Sequence, residues 1–86
     1  MHEMSLAMEV CRIAEERVGR ESLPRLREVG VAVGLDSGVE PESLGFWLET
    51  LLASPPFVGA RAVLDVGPGD DLRVTYLEVD NGDPPH

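Results

Sequence analysis

Residues 26–35 read LREVGVAVGL, and this stretch decides the fold. Large and small side chains alternate along it, with Val29, Val31, Val33 and Leu35 on one face and Gly30, Ala32 and Gly34 on the other. A period of two is typical of a β-strand. We therefore predict a strand with one unusually small face, where a helix could pack close to the sheet.

An amphipathic helix is predicted before this strand. Apolar residues recur at steps of three and four along residues 6–18, and charged residues occupy the other face. We expect the helix to start near Met4 or Ser5 and to end by Gly19. Cys11 lies on its apolar flank, where an unreactive packed thiol is expected.

A second helix and two more strands are predicted after the first strand. Pro41 suits the first turn of a helix, and the Ser-Pro-Pro sequence at residues 54–56 stops it. Alternation predicts strands over residues 61–66 and from residue 72 to about 79. The glycines and proline in residues 67–71 are typical of a hairpin turn, so we expect these two strands to pair antiparallel.

The element order α-β-α-β-β indicates an α+β fold with a small three-stranded mixed β-sheet and two α-helices. A right-handed crossover through the second helix would make the first two strands parallel. Residues 1–80 are predicted to form one domain, and residues 81–86 a flexible tail. Two helices cannot cover both faces of the sheet. We expect apolar surface near Val63 or Leu77 to stay open for a partner or for a homodimer.

Composition excludes several classes of function. The net charge is -9, from 16 acidic and 7 basic residues, which disfavours nucleic acid as a partner. The longest apolar stretch, residues 29–35, is far shorter than the roughly 20 residues that span a bilayer, so no membrane contact is expected. Residues 1–3 lack the features of a secretory signal, and a cytoplasmic protein is the expectation. The single cysteine excludes an internal disulfide.

The amino terminus offers a nitrogen chelate. The backbone amine of Met1, the amide nitrogen of His2 and Nδ1 of its ring fit three corners of a square plane, the geometry that Ni(II) and Cu(II) favour. Glu3 could supply a fourth donor through its amide or carboxylate. The motif does not select between the two metals, and a solvated histidine beside a helix start is the alternative interpretation.

Two segments carry a resemblance to a known family. Residues 1–7, MHEMSLA, resemble the opening of the HypA/HybF family of hydrogenase nickel-incorporation proteins, and residues 34–42, GLDSGVEPE, are similar to that family's loop after the first strand. The similarity extends to about Val66. It implies a nickel metallochaperone whose partners are hydrogenase or urease maturation proteins.

The resemblance also implies roles for individual residues. His2 would be the main nickel ligand, Glu3 would assist it, and Glu40 would match an acidic position near the metal, although a capping role explains Glu40 equally well. Family members insert a zinc domain built on two Cys-x-x-Cys pairs between the last two strands, where this chain has only residues 67–71. Zinc is therefore not expected, and partner docking is in doubt.

Two functional hypotheses follow from the sequence. In the first, the chain is a nickel-binding accessory protein that uses His2 and Glu3. In the second, it is a scaffold or protein-interaction domain that has kept the fold and lost metal delivery. No enzyme is expected, because the sequence contains neither a serine, histidine and acid set nor a glycine loop that cradles phosphate.

Overall fold

A computed structural model describes residues 2–80, so the predicted tail at 81–86 lies outside the described residues. The elements are α1 (Glu3–Val18), a 3-10 helix (Arg20–Arg25), β1 (Leu26–Gly34), α2 (Pro41–Leu52), β2 (Arg61–Gly67) and β3 (Leu72–Val79). The predicted α+β class is confirmed. None of the helices within residues 2–80 is long and apolar enough to cross a membrane.

Strand β1 lies at the centre of the sheet, between β2 and β3. It pairs parallel with β2, as predicted, and antiparallel with β3. The predicted pairing of β2 with β3 is wrong, because these strands lie on opposite sides of β1. The reason is burial: β1 is the most apolar strand, and the central position gives it a neighbour on each edge. Residues 68–71 connect β2 to β3 across the end of β1.

Helix α1 begins at Glu3, one or two residues before the predicted start. The carbonyl oxygen of His2 accepts the first helical hydrogen bond, from the N–H of Leu6 at 2.9 Å. The helix ends at Val18, by Gly19 as predicted, and Gly19 follows with a φ of 88° that suits glycine. The 3-10 helix that follows was not predicted. Its one buried residue, Leu23, is fully buried in the core.

The core lies between the helices and one face of the sheet. Its fully or almost fully buried side chains are Ala7, Ala14, Leu23, Leu26, Val29, Val31, Val33, Leu44, Leu48 and Leu52. The helices thus pack on the valine face of β1. The prediction that the small face would receive a helix is wrong, because the Tyr76 ring occupies the space above Gly30 instead.

The face of the sheet opposite the helices is partly open. Val63 is 38% exposed there, as predicted, and Tyr76 is 42% exposed. Leu77, the other residue expected on the open surface, packs against the core because a register shift in β3 turns it toward the helices. The open surface therefore includes Val63 and Tyr76 but not Leu77.

Candidate functional site

The amino-terminal ends of the two α-helices meet at one hydrogen bond. Oε2 of Glu3, the first residue of α1, accepts the backbone N–H of Glu40 at 2.9 Å. Glu40 is the residue before α2, and its carbonyl oxygen accepts the N–H of Leu44 at 2.9 Å. The first residue of α1 is thereby joined to the residue before α2.

Glu3 is the one buried charged residue among residues 2–80, with 6% of its surface exposed. The hydrogen bond from the Glu40 N–H lowers the pKa of its carboxyl below the ordinary 4.5, and this outweighs the opposite effect of burial. The residue's own backbone N–H and the nearby His2 lower it further. The carboxylate is therefore ionised at neutral pH, at the positive ends of two helices.

The loop between β1 and α2 presents the Glu40 N–H. The Ser37 hydroxyl donates to the carbonyl oxygen of Gly34 at 2.7 Å and accepts the N–H of Val39 at 3.2 Å. Gly38 has a φ of 80°, a conformation that favours glycine. These local bonds fix the direction of the backbone at the residue that contacts Glu3.

The structure brings together some of the sequence-predicted site residues and not others. His2 is exposed and its side chain makes no capping hydrogen bond. Glu40 is exposed and meets Glu3 through its backbone, not its carboxylate. The amine of Met1 lies outside the described residues. Within residues 2–80, no three His, Cys, Asp or Glu side chains are grouped to hold a metal.

The backbone nitrogens at the start of α1 lie outside its helical hydrogen-bond pattern. The first helical hydrogen bond runs from Leu6 to the carbonyl of His2. The amide nitrogens of His2 and Glu3 precede this bond and have no partner within the helix. A metal that displaced their protons would break no helical hydrogen bond.

Sequence reasoning missed the Ser37 hydroxyl and the backbone N–H of Glu40. A signal for Ser37 existed, since a serine in a loop just after a strand often bonds to nearby backbone. No local signal existed for the Glu40 N–H, because its partner is 37 residues away in the sequence.

Cys11 is not part of this site. Its thiol is buried, and burial raises its pKa to about 11. The prediction of a packed thiol is confirmed, and the protonated sulfur is a poor nucleophile and metal ligand at neutral pH.

Known proteins resemble this chain in sequence. The model of the family described as "Hydrogenase/urease nickel incorporation, metallochaperone, hypA" matches residues 1–70. The hydrogenase maturation factor HypA of Dechloromonas aromatica is 38% identical over 69 residues, which are 80% of this chain and 61% of the relative. The factor of the same name from Chlorobaculum parvum is 37% identical over 65 residues, 76% of this chain and 58% of the relative. The chain thus spans about three fifths of the length of these relatives.

A solved structure has the same fold. The solution structure of the Ni metallochaperone HypA from Helicobacter pylori aligns with a TM-score of 0.68 and 17% identity, covering 92% of this chain and 97% of that one. The related proteins are named as maturation factors and metallochaperones, a class distinct from enzymes. The chain belongs to the HypA nickel-incorporation family, whose model covers His2, Glu3, Glu40 and the elements from α1 to β2.

Proposed function

We propose that this chain binds Ni(II) through its amino-terminal Met-His-Glu segment and serves nickel incorporation into hydrogenase or urease in the cytoplasm. The observation that carries the proposal is the hydrogen bond from the Glu40 N–H to Glu3, at 2.9 Å. It anchors the terminus at its third residue and leaves the His2 side chain exposed beside the anchor.

The proposed ligands are nitrogen atoms in sequence. The Met1 amine, the His2 amide and the His2 Nδ1 would occupy three corners of a square plane around nickel. The Glu3 amide could supply the fourth donor if it gave up its contact with its own carboxylate. The Glu3 carboxylate already accepts the Glu40 N–H, so we assign it a positioning role: it attaches the residue next to His2 to the start of α2. The exposed Glu40 carboxylate is a further candidate oxygen ligand. Zinc has no role in this proposal.

The proposed partners are hydrogenase or urease maturation proteins that give or receive the nickel ion. An ion bound at an exposed chain end can pass directly to a second protein, because no part of the fold must open first. The negative net charge of -9 favours a partner with a basic surface.

A second candidate function rests on the open face of the sheet. The exposed fractions of Val63 and Tyr76 there are 38% and 42%, and neither α1 nor α2 covers this face. An interaction or scaffold domain could use this face for a homodimer or a partner without any metal. Such a complex would form equally well with and without nickel and would tolerate loss of His2.

Calorimetric titration of Ni(II) into the untagged chain tests the proposal. We expect about one nickel per chain. His2→Ala should weaken binding by more than about 100-fold, beyond the range typical of outer-shell partners. His86→Ala is the matched control, because the chain has two histidines and this one is remote in sequence. Equal nickel binding by His2→Ala and the wild type would contradict the proposal.

A further inference from the structure

The segment that joins β2 to β3 is hydrogen-bonded to the end of β1. The N–H groups of Gly34, Leu35 and Asp36 donate to the carbonyl oxygens of Asp71, Gly67 and Gly69 at 2.9, 2.8 and 2.8 Å. Three successive N–H groups, from the last residue of β1 and the two residues after it, thus donate to carbonyl oxygens within residues 67–71. We call residues 67–71 the clasp.

The clasp requires glycine on both sides of the contact. A Cβ atom on Gly34 would overlap the backbone of Gly69, including its carbonyl group. Gly69 itself has a φ of 114°, which residues with a side chain rarely adopt. The two backbones therefore approach more closely than any larger residue would permit.

A series of hydrogen bonds connects the clasp to Glu3. The carbonyl oxygen of Gly34 accepts two hydrogen bonds from Ser37, one from its backbone N–H at 3.1 Å and one from its hydroxyl at 2.7 Å. That hydroxyl accepts the N–H of Val39, and the next N–H along the chain, that of Glu40, donates to Glu3. Hydrogen bonds at Gly34, Ser37, Val39 and Glu40 thus connect the clasp to Glu3.

We infer that the clasp positions the amino-terminal nickel site, by holding the Ser37 loop so that the Glu40 N–H meets the Glu3 carboxylate. The inference rests on the proposed function. It assigns a positioning role to Gly34, Ser37 and Gly69, none of which supplies a metal ligand. Displacing the clasp would loosen the terminus and weaken nickel binding while every proposed ligand remains present.

Two variants with matched controls test this inference in the full untagged chain. Gly69→Ala strains the clasp, and Gly19→Ala imposes a comparable strain at the far end of α1, where φ is 88° and space is open. Ser37→Ala removes the loop hydroxyl, and Ser54→Ala removes an exposed hydroxyl beyond the carboxyl end of α2. Ni(II) affinity and hydrogen exchange of the Glu40 amide are measured for each.

We expect Gly69→Ala and Ser37→Ala to weaken nickel binding about tenfold and to speed exchange of the Glu40 amide. Both controls should match the wild type. Unchanged nickel affinity or unchanged Glu40 exchange in both clasp variants would overturn the inference. The proposed function would survive that result if His2→Ala still lost nickel binding. If the wild-type chain binds no nickel through His2, the proposed function and the inference both fail.

Discussion

The Glu3 carboxylate and the Glu40 backbone N–H, 2.9 Å apart, join the start of α1 to the start of α2. One buried anion thus lies at the positive ends of two helices. The contact lies one residue from the exposed His2. Stability and metal binding should therefore both depend on Glu3.

Replacing Glu3 with Gln should lower the free energy of unfolding at neutral pH. The pKa of the Glu3 carboxyl is lowered in the folded state, so the unfolded chain binds a proton more readily. Its contribution to stability is full above the ordinary pKa of 4.5 and is lost as the pH falls through the folded value. Urea unfolding at neutral pH and at several values below 4.5 measures the difference between wild type and variant.

Glu49→Gln is the control for this experiment, because Glu49 is an exposed residue of α2. It should leave the free energy of unfolding nearly unchanged at every pH. A Glu3→Gln difference that stayed constant, or grew, as the pH fell would contradict the assigned role of the ionised carboxylate.

The strands were predictable from the sequence, but their order was not. Residues 67–71 have the composition of a hairpin turn, and that local signal predicted a pairing of β2 with β3. The order depends instead on which strand buries most surface, and β1 carries the near-continuous apolar run typical of a central strand. The charged residues Arg61 and Arg73 in β2 and β3 are typical of edge strands.

The two segments of the candidate site were identified from the sequence, but the contact between them was not. The segment from Met1 to Glu3 and the loop before Pro41 were both identified from their residue pattern. Their connection through the Glu40 backbone could not be predicted, because a hydrogen bond to a main-chain N–H leaves no trace in residue type. The side chain of Glu40, which the family resemblance matches to an acidic position near the metal, makes no part of that contact.

Leu48→Ala should lower the free energy of unfolding by about 2–5 kcal/mol, the range for truncating a buried leucine. Leu48 is fully buried in the middle of α2. Phe46→Ala is the comparison, since Phe46 is 63% exposed and only meets Trp47 edge-on at 5.3 Å. It should cost less than about 1 kcal/mol. Similar losses for both variants in chemical denaturation would contradict the described packing of α2.

Glu28→Gln should lower the pKa of Tyr76 toward its ordinary value of 10.0. The Tyr76 hydroxyl donates to Glu28 Oε2 at 2.5 Å, and this bond is the largest cause of its raised pKa. Glu78 contributes a smaller charge effect, so Glu78→Gln should shift the pKa less. Tyr76 is the single tyrosine, and the absorbance of tyrosinate reports on it alone. Equal shifts in both variants would contradict the bond between Tyr76 and Glu28.

The central claim is that His2 and the backbone nitrogens beside it hold nickel in a square plane. Titration of Ni(II) into the untagged, isotope-labelled chain, followed by NMR, tests it most directly. Square-planar nickel with nitrogen ligands is diamagnetic, so we predict sharp new signals for the carbon-bound protons of His2 and Glu3 at one equivalent, and loss of the His2 amide N–H signal. The signals of β2 and β3 should stay unchanged. Undisturbed His2 signals, or the same changes in a chain acetylated at Met1, would contradict the account.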